Sequence, residues 1–403
     1  MRFIRWVLLL SGLVIINAIS FAQAIEETFI PNAPFFNFGS GLSISSPDDI
    51  FKMNFRFRLQ NRASYVIDDK QRHVINGQVR RLRLRFDGHV GNPKFLYLLQ
   101  LSFAPGDLGG ELIDGENINI IRDAVLFYKA TERLSVGFGQ TKLPGNRQRV
   151  NSSSAMQLTD RTINNARFNI DRDFGIFANY ESLIGDTKAV YVLRSAISGG
   201  EGRNFTQSQN TGLCYTNKIE LLPFGKFKRD GAYFEGDVLR EATPKLLVSA
   251  AYYYNHKTTK TAGQLGERFN GAINLNGWLI DGIFKYKGLG LMYAFMNRNT
   301  NLYRVNSFNN NDISIFAGKG HDFQASYFVS KKWEIIAKHS MIQTNEKVRQ
   351  YLGDASQSGI GLTNYLWQHA FKIQMEFSQD RKISLNQNIT KSYFGRLQME
   401  IGI

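Results

Sequence analysis

Six arginines near the start of the chain lie at alternating positions in two short stretches. Arginine stays charged at every physiological pH, and its planar guanidinium group donates paired hydrogen bonds to phosphate or carboxylate oxygens. A row of such groups could attract small anions and pass them from one to the next. The six residues predicted to form this anion pathway are Arg56, Arg58, Arg62, Arg81, Arg83 and Arg85.

Both stretches have the two-residue period of a β-strand. Apolar side chains alternate with polar or cationic ones from residue 51 to 62, and the pattern returns from 81 to 90. Because successive side chains on a strand point to opposite faces, each stretch has one apolar and one cationic face. Such faces fit a soluble sheet with one side in water. They also fit a membrane barrel with one side in lipid and the other in a polar lumen.

Loop lengths favour the membrane barrel. About sixteen strand candidates of roughly nine to thirteen residues follow one another, a length that crosses a bilayer when tilted. Long polar loops and very short turns alternate between these strands. A membrane barrel explains this alternation, whereas a soluble sandwich does not require it. We therefore predict an all-β protein: a transmembrane antiparallel β-barrel of about sixteen strands, with long extracellular loops and short periplasmic turns.

The N-terminus indicates export. A basic start, an apolar run and the small residues Ala22 and Ala24 predict a signal peptide over residues 1–24, cleaved after residue 22 or 24. An irregular N-terminal segment is expected over 25–50 and a single barrel domain over 51–403. Export and the barrel pattern together predict a multi-pass protein in the outer membrane of a Gram-negative bacterium, in contact with outer-membrane lipid.

Two segments depart from the loop pattern. The longest loop, about 143–172, is rich in cations, and we predict that it folds into the barrel and narrows the lumen, although an outward, solvated loop is the alternative. Its constriction residues would be Lys142, Arg147, Arg149, Arg161 and Arg167. The segment at about 223–244 is long for a periplasmic turn. We expect a folded periplasmic excursion there, which could hold two extra strands and raise the count to eighteen.

Composition restricts the function further. The formal net charge is +15, which points to anionic partners; export excludes intracellular nucleic acid. Cys214 is the single cysteine, so no disulfide framework exists. No hydrolase or phosphate-binding motif occurs, and the six histidines lack metal-ligand spacing. We predict no enzyme activity, no cofactor and no metal site.

Several short motifs occur in a recognisable order. They include Phe-Arg-Phe-Arg-Leu-Gln-Asn-Arg (55–62), Arg-Arg-Leu-Arg-Leu-Arg-Phe-Asp-Gly-His (80–89) and Gly-Phe-Gly-Gln-Thr-Lys-Leu-Pro (137–144). Over roughly residues 50–403 the chain resembles the phosphate-selective porin O and P family. The resemblance implies a sixteen-stranded outer-membrane barrel, usually a homotrimer, with an arginine ladder and inward-folded loops. The constriction lysines that select phosphate in the best-known members have no one-to-one match here.

Two functions follow from these observations. The first is a porin for passive diffusion of small solutes that prefers anions: phosphate, related oxyanions or small organic anions. The alternative is a non-conducting barrel that acts as an adhesin or as a partner in an envelope complex. The sequence leaves the preferred anion open.

Overall fold

The computed structural model describes residues 36–37, 41–108, 120–204, 212–308, 311–384 and 388–403. The predicted signal peptide, residues 1–24, lies outside these ranges. Within them the chain consists mainly of β-strands. No helix in the described part combines the length and the apolar character needed to span a bilayer.

The strands are numbered in chain order. They are β1 (Phe36–Asn37), β2 (Gly41–Ser45), β3 (Phe51–Ile67), β4 (His73–Val90), β5 (Asn92–Ser102), β6 (Ile121–Lys129), β7 (Leu134–Lys142), β8 (Arg172–Leu183), β9 (Val190–Ser198), β10 (Cys214–Leu222), β11 (Lys245–Ala262), β12 (Leu265–Tyr286), β13 (Leu289–Thr300), β14 (Arg304–Asn306), β15 (Asp312–Ser314), β16 (Gly318–Phe328), β17 (Trp333–Thr344), β18 (Asp354–Trp367), β19 (Phe371–Ile383) and β20 (Ile389–Gly402). Short α-helices are Pro105–Leu108, Arg147–Val150, Ile163–Phe168 and Glu346–Leu352, and 3₁₀-helices are Ser153–Ala155 and Lys228–Tyr233.

Sixteen of these strands close into one barrel. Strands β3–β13 and β16–β20 pair antiparallel with their neighbours, and β20 pairs with β3, with Gly402 opposite Arg58. Closure removes the exposed edges of the sheet. The prediction of about sixteen strands is confirmed. Segment 223–244, considered above for two more strands, is described throughout and contains only the 3₁₀-helix Lys228–Tyr233.

The N-terminal segment adds a strand to the barrel seam. Residues 25–50 were expected to be irregular, but β2 pairs with β3, and Leu42 lies opposite Phe55. Farther along β3, β20 takes the same edge, so β2 continues the line of β20. Without β2, backbone amides at the start of β3 would lack hydrogen-bond partners on this edge. The backbone of β2 supplies those partners.

The two ends of the barrel differ. At one end, here called the turn end, connections are as short as Lys287–Gly288 between β12 and β13. At the opposite, loop end the hairpins β3–β4 and β11–β12 are longer than predicted. The polar sequence predicts a loop from about residue 256 to 274, yet only Gly263 and Gln264 separate β11 from β12. Most side chains from residue 256 to 268 are polar, so the sequence gives no alternating pattern there by which to extend the two strands.

The outer wall is apolar. Side chains that point away from the lumen include Leu126, Ile360 and Phe377, which are 66 %, 63 % and 55 % exposed. Among the described residues nothing covers this wall, which matches the lipid-facing band of a membrane barrel.

Half of the interior is a hydrophobic core. Inward side chains of β8–β13 pack against Leu143, Phe168 and Ile170 from the segment between β7 and β8. The strand residues of this cluster include Phe177, Ala196, Ala251, Tyr253, Ile273, Leu279 and Met296. A smaller apolar cluster, which includes Phe227, lies among β9–β12. The open, polar part of the lumen lies mainly beside β3 and β4, although β12 also contributes Lys285 to its lining.

Two segments fill this interior. The 143–171 segment crosses the barrel: the Ser153 hydroxyl accepts from Arg58 of β3 at 2.7 Å, and the Thr159 amide donates to Glu376 of β19 at 3.0 Å. Segment 223–244 enters from the turn end, where Glu235 accepts a hydrogen bond from the Gln157 amide at 3.0 Å. The segment predicted as a periplasmic excursion thus folds into the barrel and meets the long loop.

Gly139 of β7 tests the packing of adjacent strands. Its φ is +132°, and a Cβ there would overlap the Ala124 carbonyl oxygen on β6. We expect Gly139→Ala to lower the free energy of unfolding by about 1–3 kcal/mol through backbone strain. Urea unfolding in detergent, followed by circular dichroism, measures the change.

The matched control is Gly395→Ala on β20, where an added Cβ meets no atom within 4 Å. Equal stability of the two variants would contradict the tight β6–β7 contact.

Candidate functional site

A cavity of about 990 Å³ runs along the polar side of the lumen. Its walls come from β3 and β4, from the 143–171 segment and from segment 223–244. Fourteen cationic side chains and four carboxylates line it, an excess that makes its interior strongly positive. The cations are Arg56, Arg58, Arg80, Arg81, Arg83, Arg85, Arg122, Lys142, Arg149, Arg161, Arg172, Arg203, Arg229 and Lys285, and the carboxylates are Asp171, Asp237, Glu241 and Glu400.

Four of the predicted pathway arginines form two rungs of a ladder. In the β3–β4 register Arg56 lies opposite Arg85, and Arg58 lies opposite Arg83. Like charges directly opposite each other repel, so each rung needs compensation. Asp87 accepts hydrogen bonds from Arg56 and Arg85, at 2.9 and 2.8 Å.

The second rung is compensated from outside β3 and β4. Glu400 of β20 lies 2.6 Å from Arg58 Nε. The Ser153 hydroxyl of the inward segment accepts from Arg58 and Arg83, at 2.7 and 3.1 Å. Both closure of the barrel and the inward path of the long segment therefore hold this rung in place.

A β-bulge adds an arginine that alternation does not predict. The register shifts between Gln60 and Asn61, which leaves Arg80 as an extra residue on β4. Arg80 and Arg81 both line the cavity, although neighbouring residues on a regular strand face opposite sides. The adjacent Arg-Arg pair was visible in the sequence, but the bulge that turns both inward depends on strand pairing.

Arg62, the sixth predicted residue, does not line the cavity. It donates to Asp160 of the inward segment at 3.0 Å, and Arg80 and Arg81 approach the same carboxylate at 3.3 and 3.7 Å. Burial alone would raise the pKa of Asp160, but Arg80, Arg81 and Arg62 outweigh it and hold that pKa far below its usual range. This cluster fastens the segment to the ladder.

Three of the predicted constriction residues line the cavity. Lys142 Nζ donates to the carbonyls of Val150 and Asn151, at 2.6 and 3.2 Å. Arg149 Nε donates to Asp171 at 2.8 Å. Arg161 is partly buried, and both its desolvation and the neighbouring charge of Arg149 lower the pKa of Arg161 well below its usual value.

The other two constriction residues lie elsewhere. Arg147 is buried; its guanidinium donates to the Phe234 carbonyl at 3.0 Å, and its amide donates to Asp281 at 2.8 Å. Arg167 is exposed and lies over the ring of Phe316 at 5.6 Å. These residues position the segment and do not contribute to the cavity wall.

Several lining residues were not among those predicted. Arg122 comes from β6 and Arg229 from segment 223–244, while Arg172, a cation at the end of the predicted long loop, lines the cavity from the start of β8. Arg172 forms a bidentate pair with Asp123, at 3.0 Å for each hydrogen bond. None of these cations belongs to an alternating series of cations in the sequence, so the sequence pattern does not predict that they line the lumen. Only the fold brings them together.

A closed sixteen-stranded barrel with an apolar outer wall and a charged lumen defines an outer-membrane porin. The sequence model of the phosphate-selective porin O and P family matches residues 51–392, which is most of the chain. The protein therefore belongs to that family and is a multi-pass channel of the outer membrane.

Solved structures with the same fold have distant sequences. The outer membrane channel DcaP of Acinetobacter baumannii is 13 % identical, with a TM-score of 0.53 over 90 % of this chain and 100 % of that one. OprB of Pseudomonas putida is 10 % identical, with a TM-score of 0.55 over 87 % and 94 %. An anion-selective porin from Comamonas acidovorans is 10 % identical, with a TM-score of 0.52 over 87 % and 99 %. No curated protein sequence matches significantly.

Asp160 provides a test of how the inward segment is held. Because its pKa is lowered in the folded protein, the contact stabilises the fold at every pH above the ordinary aspartate value of about 3.9 and is lost as the pH falls below it. We expect Asp160→Asn to cost about 1–3 kcal/mol in the free energy of unfolding, by leaving three guanidinium groups uncompensated. The loss should be constant from about pH 5 to pH 8 and shrink below about pH 4.

Urea unfolding in detergent at several pH values measures this dependence. Asp186→Asn, at an exposed turn, removes the same charge without an arginine cluster and should leave stability unchanged. A pH-independent loss for Asp160→Asn would show that its charge is not what holds the segment.

Proposed function

We propose that the protein conducts small anions passively through the arginine-lined cavity. The observation that carries the proposal is the composition of that cavity: fourteen cations against four carboxylates in about 990 Å³. Walls of low dielectric constant strengthen the field of such a cluster and raise the local concentration of anions.

The ladder supports movement along the pore as well as binding. Rungs of arginines on β3 and β4 offer successive sites, and an anion leaves one site easily when the next is similar. The lining extends from Arg122 and Arg203 toward the loop end to Arg229 and Trp367 at the turn end. Since the apolar core fills the other half of the barrel, permeating solutes would pass along the arginine wall.

Oxyanions suit this wall best. The guanidinium fork matches the paired oxygens of phosphate, sulfate and carboxylate groups, and twelve of the fourteen lining cations are arginines. Phosphate is the solute in the family's description, and a structural neighbour is described as anion-selective. We therefore propose phosphate, related oxyanions or small organic anions as the solutes, and a homotrimer, which the family resemblance implies, as the assembly.

The reversal potential in a planar bilayer tests anion preference. Purified protein is reconstituted, and a gradient of potassium chloride is applied across the membrane. We expect a stable conductance whose reversal potential has the sign for chloride permeation, and added phosphate should reduce the chloride current by competition. A conductance without ion selectivity would contradict anion preference. It would show that the arginine ladder sets a local electric field without selecting anions.

Charge reversal on the ladder tests its role directly. In Arg83→Glu with Arg85→Glu, the chloride-to-potassium permeability ratio should fall at least about threefold, since a cleft of one sign concentrates counter-ions about tenfold or more. The matched control, Lys70→Glu with Lys347→Glu, makes the same charge change at exposed loop-end positions and should keep the wild-type ratio. Unchanged selectivity in the ladder variant would exclude these two arginines from the pathway.

The inward segments also suit a different function. Two segments and a hydrophobic core occupy much of the interior, as they would in a plugged barrel that serves as an adhesin or as an envelope-complex partner. A bilayer that stays silent with correctly folded protein would favour this alternative over a porin.

A further inference from the structure

Exposed lysines surround the turn end of the barrel. Seven turns connect strands at this end, all within the described part of the chain, and six of them carry an exposed lysine in the turn or within three residues of it. The six lysines are Lys94, Lys129, Lys188, Lys226, Lys287 and Lys331. They form a lysine rim, in contrast to the arginines that dominate the lumen.

Most of the lysine rim lacks carboxylate partners. Lys226 pairs with Glu181. No carboxylate of the described residues lies within 4.0 Å of the other five lysines, and Lys287 instead lies over the ring of Tyr286, at 5.2 Å. Glu132 and Asp186 are exposed in two of the same turns but form no ion pair with these lysines, so the rim presents a net positive charge to its surroundings.

The lysine rim lies just beyond an aromatic belt on the outer wall. Phe95 and Tyr128 pack at a centroid distance of 5.0 Å beside the first two rim lysines, and Tyr327 is 53 % exposed beside Lys331. Trp333 follows Lys331 on the next strand and shares the outward side with the exposed Ile335. Aromatic belts mark the boundary between hydrocarbon and headgroups, so the rim lies at the level of phospholipid phosphates.

The position of the rim separates it from the anion pathway. None of its six lysines lines the cavity, whose turn-end lining includes Arg229, Trp367 and Gln368. Lys188 and Lys226 are close in sequence to Val190 and Phe227 of the smaller apolar cluster. An electrostatic funnel for solutes would place its charges around the pore opening instead.

We propose that the lysine rim binds the phosphate groups of anionic phospholipids in the leaflet at the turn end. Lysine carries a compact, hydrated charge on a flexible stem, which suits headgroups that exchange and change orientation. Several lysines around one barrel attract anionic lipids more strongly than zwitterionic ones. The bound lipids would seat the barrel at a fixed depth, with the aromatic belt at the hydrocarbon boundary.

Trp333 is a local reporter for this interaction, because it adjoins Lys331 and Lys332. Trp278→Phe and Trp367→Phe leave it as the only tryptophan of residues 25–403. The protein is reconstituted into phosphatidylcholine vesicles in which a quarter of the lipid is brominated. The brominated lipid is either phosphatidylglycerol or phosphatidylcholine. We expect the anionic lipid to quench Trp333 fluorescence at least about twofold more strongly.

The test variant carries Lys287→Gln, Lys331→Gln and Lys332→Gln. In this variant the two brominated lipids should quench Trp333 fluorescence equally. The matched control carries Lys70→Gln, Lys257→Gln and Lys347→Gln at the loop end and should keep the wild-type preference. Equal quenching of the wild-type background by the two lipids would overturn the proposal, as would a preference that survives in the test variant. A test variant that loses chloride selectivity with its lipid preference intact would identify a solute funnel instead.

Discussion

Compensation of like charges inside a closed sheet is the constraint on which the rest of the structure depends. Opposed arginines on β3 and β4 repel one another along the wall of the lumen. Asp87 compensates the first rung from within β4. Glu400 reaches the second only because β20 pairs with β3, and Asp160 reaches the bulge only because the long segment folds inward. Barrel closure and loop path are therefore coupled to the ladder by charge.

Division of the interior follows from the same segments. The 143–171 segment presents Leu143, Phe168 and Ile170 to the inward side chains of β8–β13 on one side. On its other side it presents Ser153 and Asp160 to the arginines. One segment thus separates an apolar core from a cationic passage. Positive charge is thereby concentrated on one side of the lumen.

Prediction from the sequence succeeded where a local pattern repeats and failed where pairing decides. Two-residue alternation and loop lengths were enough for a sixteen-stranded barrel, and alternation brought five of the six ladder arginines to the cavity wall. Arg80 was missed because a bulge, set by pairing with β3, reverses the direction that alternation assigns. The tips of β11 and β12 were missed because mostly polar side chains from residue 256 to 268 carry no periodic signal.

By itself, the sequence determined the fold class, the cationic face of β3 and β4 and the excess of positive charge, because strand geometry and side-chain charge are local properties. Only the tertiary structure decided which cations share one cavity. Arg122, Arg172 and Arg229 are far apart in the chain and meet through barrel closure and the inward path of two segments. It also decided that Arg62 and Arg147 hold the long segment in place, because a guanidinium's role depends on which carboxylate or carbonyl the fold brings to it.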